Sequence, residues 1–353
     1  MESTVTKAEG QGRAPILRAE YIDEQVMMMQ PRRPIRAPRK VRSLFMIMMI
    51  VVFLALGYKR AGNPFALEIF FTAMKSSTSA RIKLLAIYSA GFAASAFAYS
   101  RMDGSVHALL ACDLVYTLII FAFSVLLDNS SIYDPYWSLV PMLSLAAFQI
   151  KTAQQAIFAI ALLYWGSRLT LNCLSATKSL KDEDWRYRGF RARYPRQYWL
   201  ISFLAIHLFP TLIVFANMKN AFFFLSAPGS KALPFALGAA LMSLGATLSL
   251  VADLQMRAFR RTSTPRALCH QGLWALSRHP NYMGEICFWW GVWLCSAGAG
   301  SGLVYVIPPL MMTALFLFYS IPAMERRQLE KNPEYERIQE STSSLLLLPP
   351  RRA

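Results

Sequence analysis

Arg278, His279, Asn281, Tyr282 and Glu285 fall within eight residues of the segment Ser-Arg-His-Pro-Asn-Tyr-Met-Gly-Glu, which then continues as an apolar run. Arginine and histidine supply charge-assisted donors for an anion. Asparagine and glutamate offer donor and acceptor atoms to an amide, and a phenol can donate to an oxygen gaining negative charge. Ionisable groups at the edge of a bilayer are costly, and by default they mark a functional site. Pro280 suits the first turn of a helix. From it Asn281, Glu285 and Trp289 follow at i, i+4 and i+8 on one face. Arg278 and His279 precede that helix, where its positive dipole end and free N–H groups favour an anion such as a phosphate. An interfacial aromatic belt would account for Trp274, Tyr282, Trp289 and Trp290. It would not account for the convergence of Arg, His, Asn and Glu.

The elements that carry these residues are membrane spans. Of 353 residues, 55% are hydrophobic and 16% charged, against about 25% charged in soluble proteins. Apolar runs near the ~20 residues a spanning helix needs recur at 41–58, 84–100, 106–127, 137–150, 153–173, 198–216, 233–255, 283–297 and 303–320. The fold class expected is all-α, a polytopic transmembrane bundle of seven to nine spans with no Rossmann domain. The Gly-rich stretch 296–302 reads as the turn of the last hairpin, since it lacks the strand and the G-x-G-x-x-G spacing of a dinucleotide fold.

A net charge of +17 raises the question of nucleic acid. The charges sit in loops and tails, however, where positive-inside bias and anionic lipid explain them, so no nucleic-acid partner is expected. Cys112, Cys173, Cys269, Cys287 and Cys295 form no C-x-x-C pair and read as small buried hydrophobes. Four scattered histidines give no metal spacing.

Residues 1–42, with nine Lys/Arg and five Asp/Glu, read as a disordered basic tail. Their acidic residues argue against a mitochondrial transit peptide, and no cleavable signal is expected; 41–58 would act as an uncleaved anchor. Three basic segments, 174–197, 256–280 and the tail from 325, are separated by pairs of spans and are expected on one side, the cytosolic one. Counting back five spans from 174–197 puts residues 1–42 on the opposite side. Either 41–58 does not cross, or 58–83 hides another crossing.

The central segment, with Gly272-Leu-Trp before it and Gly284-Glu and Trp289-Trp-Gly after, resembles the C-terminal signature of the steroid 5-alpha-reductase family. Isoprenylcysteine carboxyl methyltransferases share a shorter Arg-His-Pro-x-Tyr-x-Gly. The resemblance extends upstream through Asp134-Pro-Tyr136-Trp, Trp165-Gly-Ser-Arg168-Leu, Glu183-Asp-Trp-Arg186-Tyr and Ala252-Asp253-Leu-Gln255, and downstream through Glu325-Arg and Pro333-Glu-Tyr335. It implies a reductase-like domain over 128–345, after spans in 43–127 and before a tail at 346–353. Other readings stand beside it: Asp134 as a helix cap, the 183–187 charges as solvated pairs, the arginines after Asp253 as interfacial anchors, Glu325 as a surface charge. Ser249 departs from the pattern, standing four residues before Asp253 where the relatives carry Glu or Asn.

The resemblance implies hydride transfer from NADPH to a carbon–carbon double bond conjugated to a carbonyl in a lipid or sterol-like substrate, in the endoplasmic reticulum membrane. Asp253, Arg257, Arg260, Arg278, His279, Asn281, Arg168 and Arg186 are then the candidate cofactor residues. Tyr282, Glu285, Tyr136 and Asp134 are the candidate catalytic ones. Two alternatives stay open: an S-adenosylmethionine-dependent methyltransferase of the isoprenylcysteine type, and a non-catalytic lipid-binding protein.

Overall fold

The computed structural model describes residues 78–351 apart from 178 and 265, and every element among them is helical. In chain order these are α1 (Thr78–Ser100), α2 (Val106–Leu126), the short α3 (Tyr136–Ser144) and α4 (Ala153–Ala176). Next come α5 (Trp185–Arg193), α6 (Tyr198–Ser226), α7 (Ala232–Thr262) and a single turn, α8 (Leu273–Leu276). The last three are α9 (Pro280–Gly298), α10 (Leu303–Lys331) and α11 (Tyr335–Ser341).

Six of them are long and apolar enough to cross a membrane: α1, α2, α4, α6, α7 and α10. The expected run at 41–58 lies outside the described residues. That at 137–150 is the 9-residue α3 and a 3-10 turn, too short to span. The run at 283–297 lies in α9, 19 residues long and starting at Pro280 as its sequence predicts. Its polar residues keep it out of the apolar set, and it is the enclosed helix: Gly284, Glu285, Ile286, Phe288, Trp289, Gly291, Val292 and Cys295 are all buried.

What encloses α9 is mainly α7, and glycine sets their separation. Gly238 and Gly245 on α7, and Gly284 and Gly291 on α9, recur at seven-residue intervals. A Cβ on Gly245 would stand 2.5 Å from Gly284 O, and one on Gly291 would stand 2.6 Å from Gly238 O. Such backbone-to-backbone approach is how helices associate where the surroundings are as apolar as the helices themselves. Ser249 belongs to the same seam: its hydroxyl donates to Asn281 O at 2.9 Å, and it faces Gly284. The small serine side chain suits this close crossing, where a Cβ on Gly284 would meet it.

A core runs through α4, α6, α7 and α9, with Phe158, Leu162, Trp165, Met242, Phe288 and Val292 at its centre. A second, rich in tyrosine, joins α1, α2 and α3 through Tyr88, Tyr116, Ile120, Tyr133 and Tyr136. Between α9 and α10 the chain turns at Gly300, whose φ of +95° favours glycine. Pro309 has no N–H for Tyr305 O; Asn220 on α6 donates to that carbonyl at 3.1 Å instead.

The three basic segments meet at one end of the bundle. The Arg278 N–H donates to Ser343 O at 2.8 Å, Arg327 lies 4.0 Å over the Trp185 ring, and Asn332 Nδ2 donates to Arg266 O at 3.1 Å.

Candidate functional site

Trp165, Arg168 and Asn172 follow at i, i+3 and i+7 along α4 and so share a face. Each meets a residue of α7 or α9. The Trp165 indole N–H donates to Glu285 Oε2 at 2.7 Å. The Arg168 guanidinium pairs with Glu285 Oε1 and reaches Asp253 Oδ2 at 3.2 Å. Asn172 Nδ2 donates to the same Asp253 oxygen at 2.9 Å, while its own oxygen accepts from Arg257. Asn281, one turn before Glu285, reaches Asp253 Oδ1 at 3.5 Å. Residues from three of the motifs, Trp165–Arg168, Asp253–Arg257 and Asn281–Glu285, thus form one network.

Below it the network rests on aromatic packing. Trp165 stacks on Phe288 with centroids 4.5 Å apart and meets Trp289 edge-on at 5.0 Å. Arg168 is 7% exposed and Glu285 8%. Two carboxylates share one buried arginine, and Arg257, at the cluster's outer rim, provides the next positive charge. Such a group is stable only when its members hold one another. Arg168 Nε has no partner, and Asn281 is only weakly engaged, so donor capacity remains beside the carboxylate acceptors.

Arg278 and His279 lie elsewhere. Arg278 Nε donates to Glu325 Oε1 at 2.7 Å, and its NH1 donates to Gln339 O at 2.6 Å and Thr342 O at 2.7 Å. His279 Nε2 lies 3.1 Å from the same Glu325 oxygen. The anion drawn to the start of α9 is therefore this chain's own Glu325, and the clamp fastens the tail. The His279 ring stacks on Tyr282, whose ring packs on Phe316 of α10.

The 128–136 and 183–191 motifs build a neighbouring layer. Glu183 accepts from the Ser130 N–H at 2.9 Å, Tyr198 OH at 2.6 Å and Arg191 at 3.1 Å. Burial alone would raise its pKa, but these donors outweigh it and hold the carboxyl below the usual range. Asp134 accepts from Tyr187 OH at 2.6 Å. Its burial outweighs the pull of the nearby Arg186, and the carboxyl is pushed up to about 6. Arg186 itself pairs with Asp184 at 2.8 Å. The two layers are joined by α4: Thr170 bonds Ser138 at 2.8 Å, and Cys173 Sγ donates to Asp134 O at 3.9 Å. Arg260, one turn beyond Arg257, is exposed.

Tyr136 is not in contact with the Arg168 cluster. Its hydroxyl donates to Asp113 Oδ1 at 2.6 Å and accepts from Thr117 at 3.0 Å, inside the tyrosine-rich core. Asp113 is 8% exposed within a span. A lone carboxylate in the apolar run 106–127 was the signal for it.

A family model described as a protein of unknown function (DUF1295) matches residues 120–342. The chain belongs to this family. The matched region runs from the end of α2 to the tail, so it takes in the Arg168–Glu285–Asp253 network, the Asp134 layer and the Glu325 clamp. No curated protein and no solved structure matches the chain.

Proposed function

We propose that the chain is a membrane reductase similar to the steroid 5-alpha-reductases, acting on a conjugated carbon–carbon double bond of a lipid with NADPH. The observation that carries the reading is the buried Arg168–Asp253–Glu285 network with Asn281 at its edge. A nicotinamide carboxamide needs acceptors for its NH2 and a donor for its C=O; Glu285 and Asp253 accept, and Asn281 and the unpartnered Arg168 Nε donate. The donor set therefore fits the group. Arg257, Arg260 and Arg186 are the arginines of this end suited to its phosphates, Arg278 being engaged by Glu325. The family's association with steroid 5-alpha-reductase-like proteins also supports the reading.

When bound, NADPH supplies the hydride. The chain's part is to hold the carboxamide on α9, keep water out with Trp165, Phe288 and Trp289, and hydrogen-bond the carbonyl oxygen as it gains charge. Tyr282, beside the network, is one donor for that bond. Tyr136 is the other candidate phenol; its one hydroxyl proton is given to Asp113, so it would serve only by exchanging that partner for the substrate oxygen. The greasy faces of the bundle favour a large apolar substrate with one polar end. The reading places the protein in the endoplasmic reticulum membrane with the basic end cytosolic.

One observation favours a second reading. Arg278, His279, Tyr282 and a C-terminal Glu are the set that an isoprenylcysteine-type methyltransferase would use for S-adenosylmethionine, and here Glu325 pairs with Arg278 and His279 while the Tyr282 ring stacks on His279. Thermal-shift titration of the purified protein with NADPH and S-adenosylmethionine separates the two. Stabilisation by NADPH supports the reductase; stabilisation by S-adenosylmethionine alone supports the methyltransferase.

A further inference from the structure

His207 sits on α6 with none of its surface exposed, roughly 13 Å along the axis from Tyr198 at about 1.5 Å per residue. Here the α6 backbone widens into a π-helical turn over Ser202–Leu208, a departure frequent at functional sites. An ionisable group at such depth marks a functional site by default. The ring is held between two serines. Nδ1 lies 2.9 Å from Ser202 O and 3.4 Å from Ser202 Oγ, and Nε2 lies 3.0 Å from Ser124 Oγ. A carbonyl only accepts, so Nδ1 carries a proton. Ser124 suits both charge states of the ring. With its own proton on Ile120 O, 3.0 Å away, its oxygen accepts from the Nε2–H of an imidazolium; turned to the ring, it donates to the bare Nε2 of a neutral imidazole.

From Ser202 a line of buried hydroxyls leads out to the basic end. Ser202 Oγ lies 2.7 Å from Ser130 Oγ, which lies 2.7 Å from Tyr198 OH, which donates to Glu183 Oε1 at 2.6 Å. Arg191 binds both Glu183 and the exposed Asp128, where the line meets water. The carboxylate fixes the direction of every bond. Tyr198 has one proton and gives it to Glu183, so Ser130 donates to Tyr198 and Ser202 to Ser130. We propose that Glu183, Tyr198, Ser130 and Ser202 form a proton path between the basic end and His207. In one transfer the Nδ1 proton of an imidazolium shifts from the Ser202 carbonyl to Ser202 Oγ, which passes its own proton to Ser130. Ser130 passes its proton to Tyr198, and Tyr198 to Glu183. Only N–H and O–H bonds break and form. His207 ends neutral, Glu183 ends protonated, and the hydroxyls all point inward, set to return a proton. The His207 ring lies 4.8 Å from that of Tyr133, whose hydroxyl opens a second chain through Thr211, Thr117 and Tyr136 to Asp113. The path thus carries protons between water and the edge of the tyrosine-rich core, and it does not depend on the reductase reading.

The test is nuclear magnetic resonance of the full-length protein in phosphatidylcholine nanodiscs, with the histidine nitrogens isotopically labelled and the His207 signals assigned by their loss in His207→Gln. The Nδ1–H of His207 should exchange its proton with water at a measurable rate although the ring is fully buried. Ser202→Ala removes the hydroxyl and keeps the carbonyl that Nδ1 bonds. Tyr198→Phe keeps the ring that lies 4.0 Å under Arg191. Each should slow the exchange by at least about a hundredfold, the low end of what a positioned proton-transfer group contributes, while the His207 nitrogen shifts stay in place. Those shifts show that the variant is folded around His207, and either variant suffices. A network that only supports the fold would change the melting temperature and leave the exchange rate alone. Exchange that is undetectable in the wild type, or equally fast in a folded variant, overturns the path.

Discussion

The Trp165 indole N–H donates to Glu285 Oε2 at 2.7 Å, joining residues 120 positions apart. Arg168, one turn further along α4, binds the other oxygen of the same carboxylate. Glu285 is therefore fixed from two directions by one helix face, and little freedom is left to its side chain. Glu285→Gln keeps the shape but removes the charge that Arg168 pairs with. It should lower stability and abolish turnover. Breaking a buried pair from one side costs about 3–5 kcal/mol, and Arg168→Met should cost the same order. Arg168→Met/Glu285→Met removes that pair but leaves Asp253 without its arginine, held by Asn172 and weakly by Asn281, so it should recover part of the stability and none of the activity. Melting temperatures of the three variants check this.

The crossing of α7 over α9 makes a different prediction. Gly291→Val should push the helices apart and destabilise by about 1–3 kcal/mol, the range for overpacking. Gly302→Ala, where an added Cβ meets nothing within 4 Å, should have no measurable effect. Thermal unfolding in one detergent compares them. Equal melting temperatures would show that the glycine seam does not set the packing.

Much of this arrangement is legible in the sequence. The turn at 296–302 and the start of α9 at Pro280 are where proline and glycine put them, and the shared face of Asn281, Glu285 and Trp289 follows from helical period alone. The seven-residue spacing of Gly238 and Gly245, and of Gly284 and Gly291, was also there to be read. What local pattern does not carry is which charge meets which. Arg278 and Arg168 are both arginines beside apolar runs, yet one closes on Glu325 of the tail and the other on Glu285. That choice depends on how α4 and α10 pack around α9. The length of α3 was likewise hidden, because 137–150 is apolar enough for a span but breaks into a short helix and a 3-10 turn.

Asp134 gives a pH signature. Its carboxyl is raised to about 6 in the folded protein, above the ~3.9 of an unfolded chain. Its contribution to stability is therefore full below pH ~4 and is lost as pH rises through about 6. Asp134→Asn keeps an oxygen for the Tyr187 hydroxyl and removes the charge. The variant should melt higher than wild type at pH 8, and the difference should vanish by pH 4. A difference that grows on acidification would contradict the account.

The shared end of the three basic segments predicts their sidedness. Glycosylation sequons placed in 183–197, 263–272 or 333–341 should stay unmodified if this end is cytosolic. Modification of any one of them would invert the orientation.

The central claim is that the Arg168–Asp253–Glu285 network receives a nicotinamide dinucleotide. Calorimetric titration of the purified wild type and of Asn281→Ala with NADPH and with S-adenosylmethionine tests it most directly. The account predicts saturable binding of NADPH to the wild type, weakened in Asn281→Ala, and no binding of S-adenosylmethionine to either. Binding of S-adenosylmethionine without NADPH, or NADPH binding untouched by loss of Asn281, would contradict it.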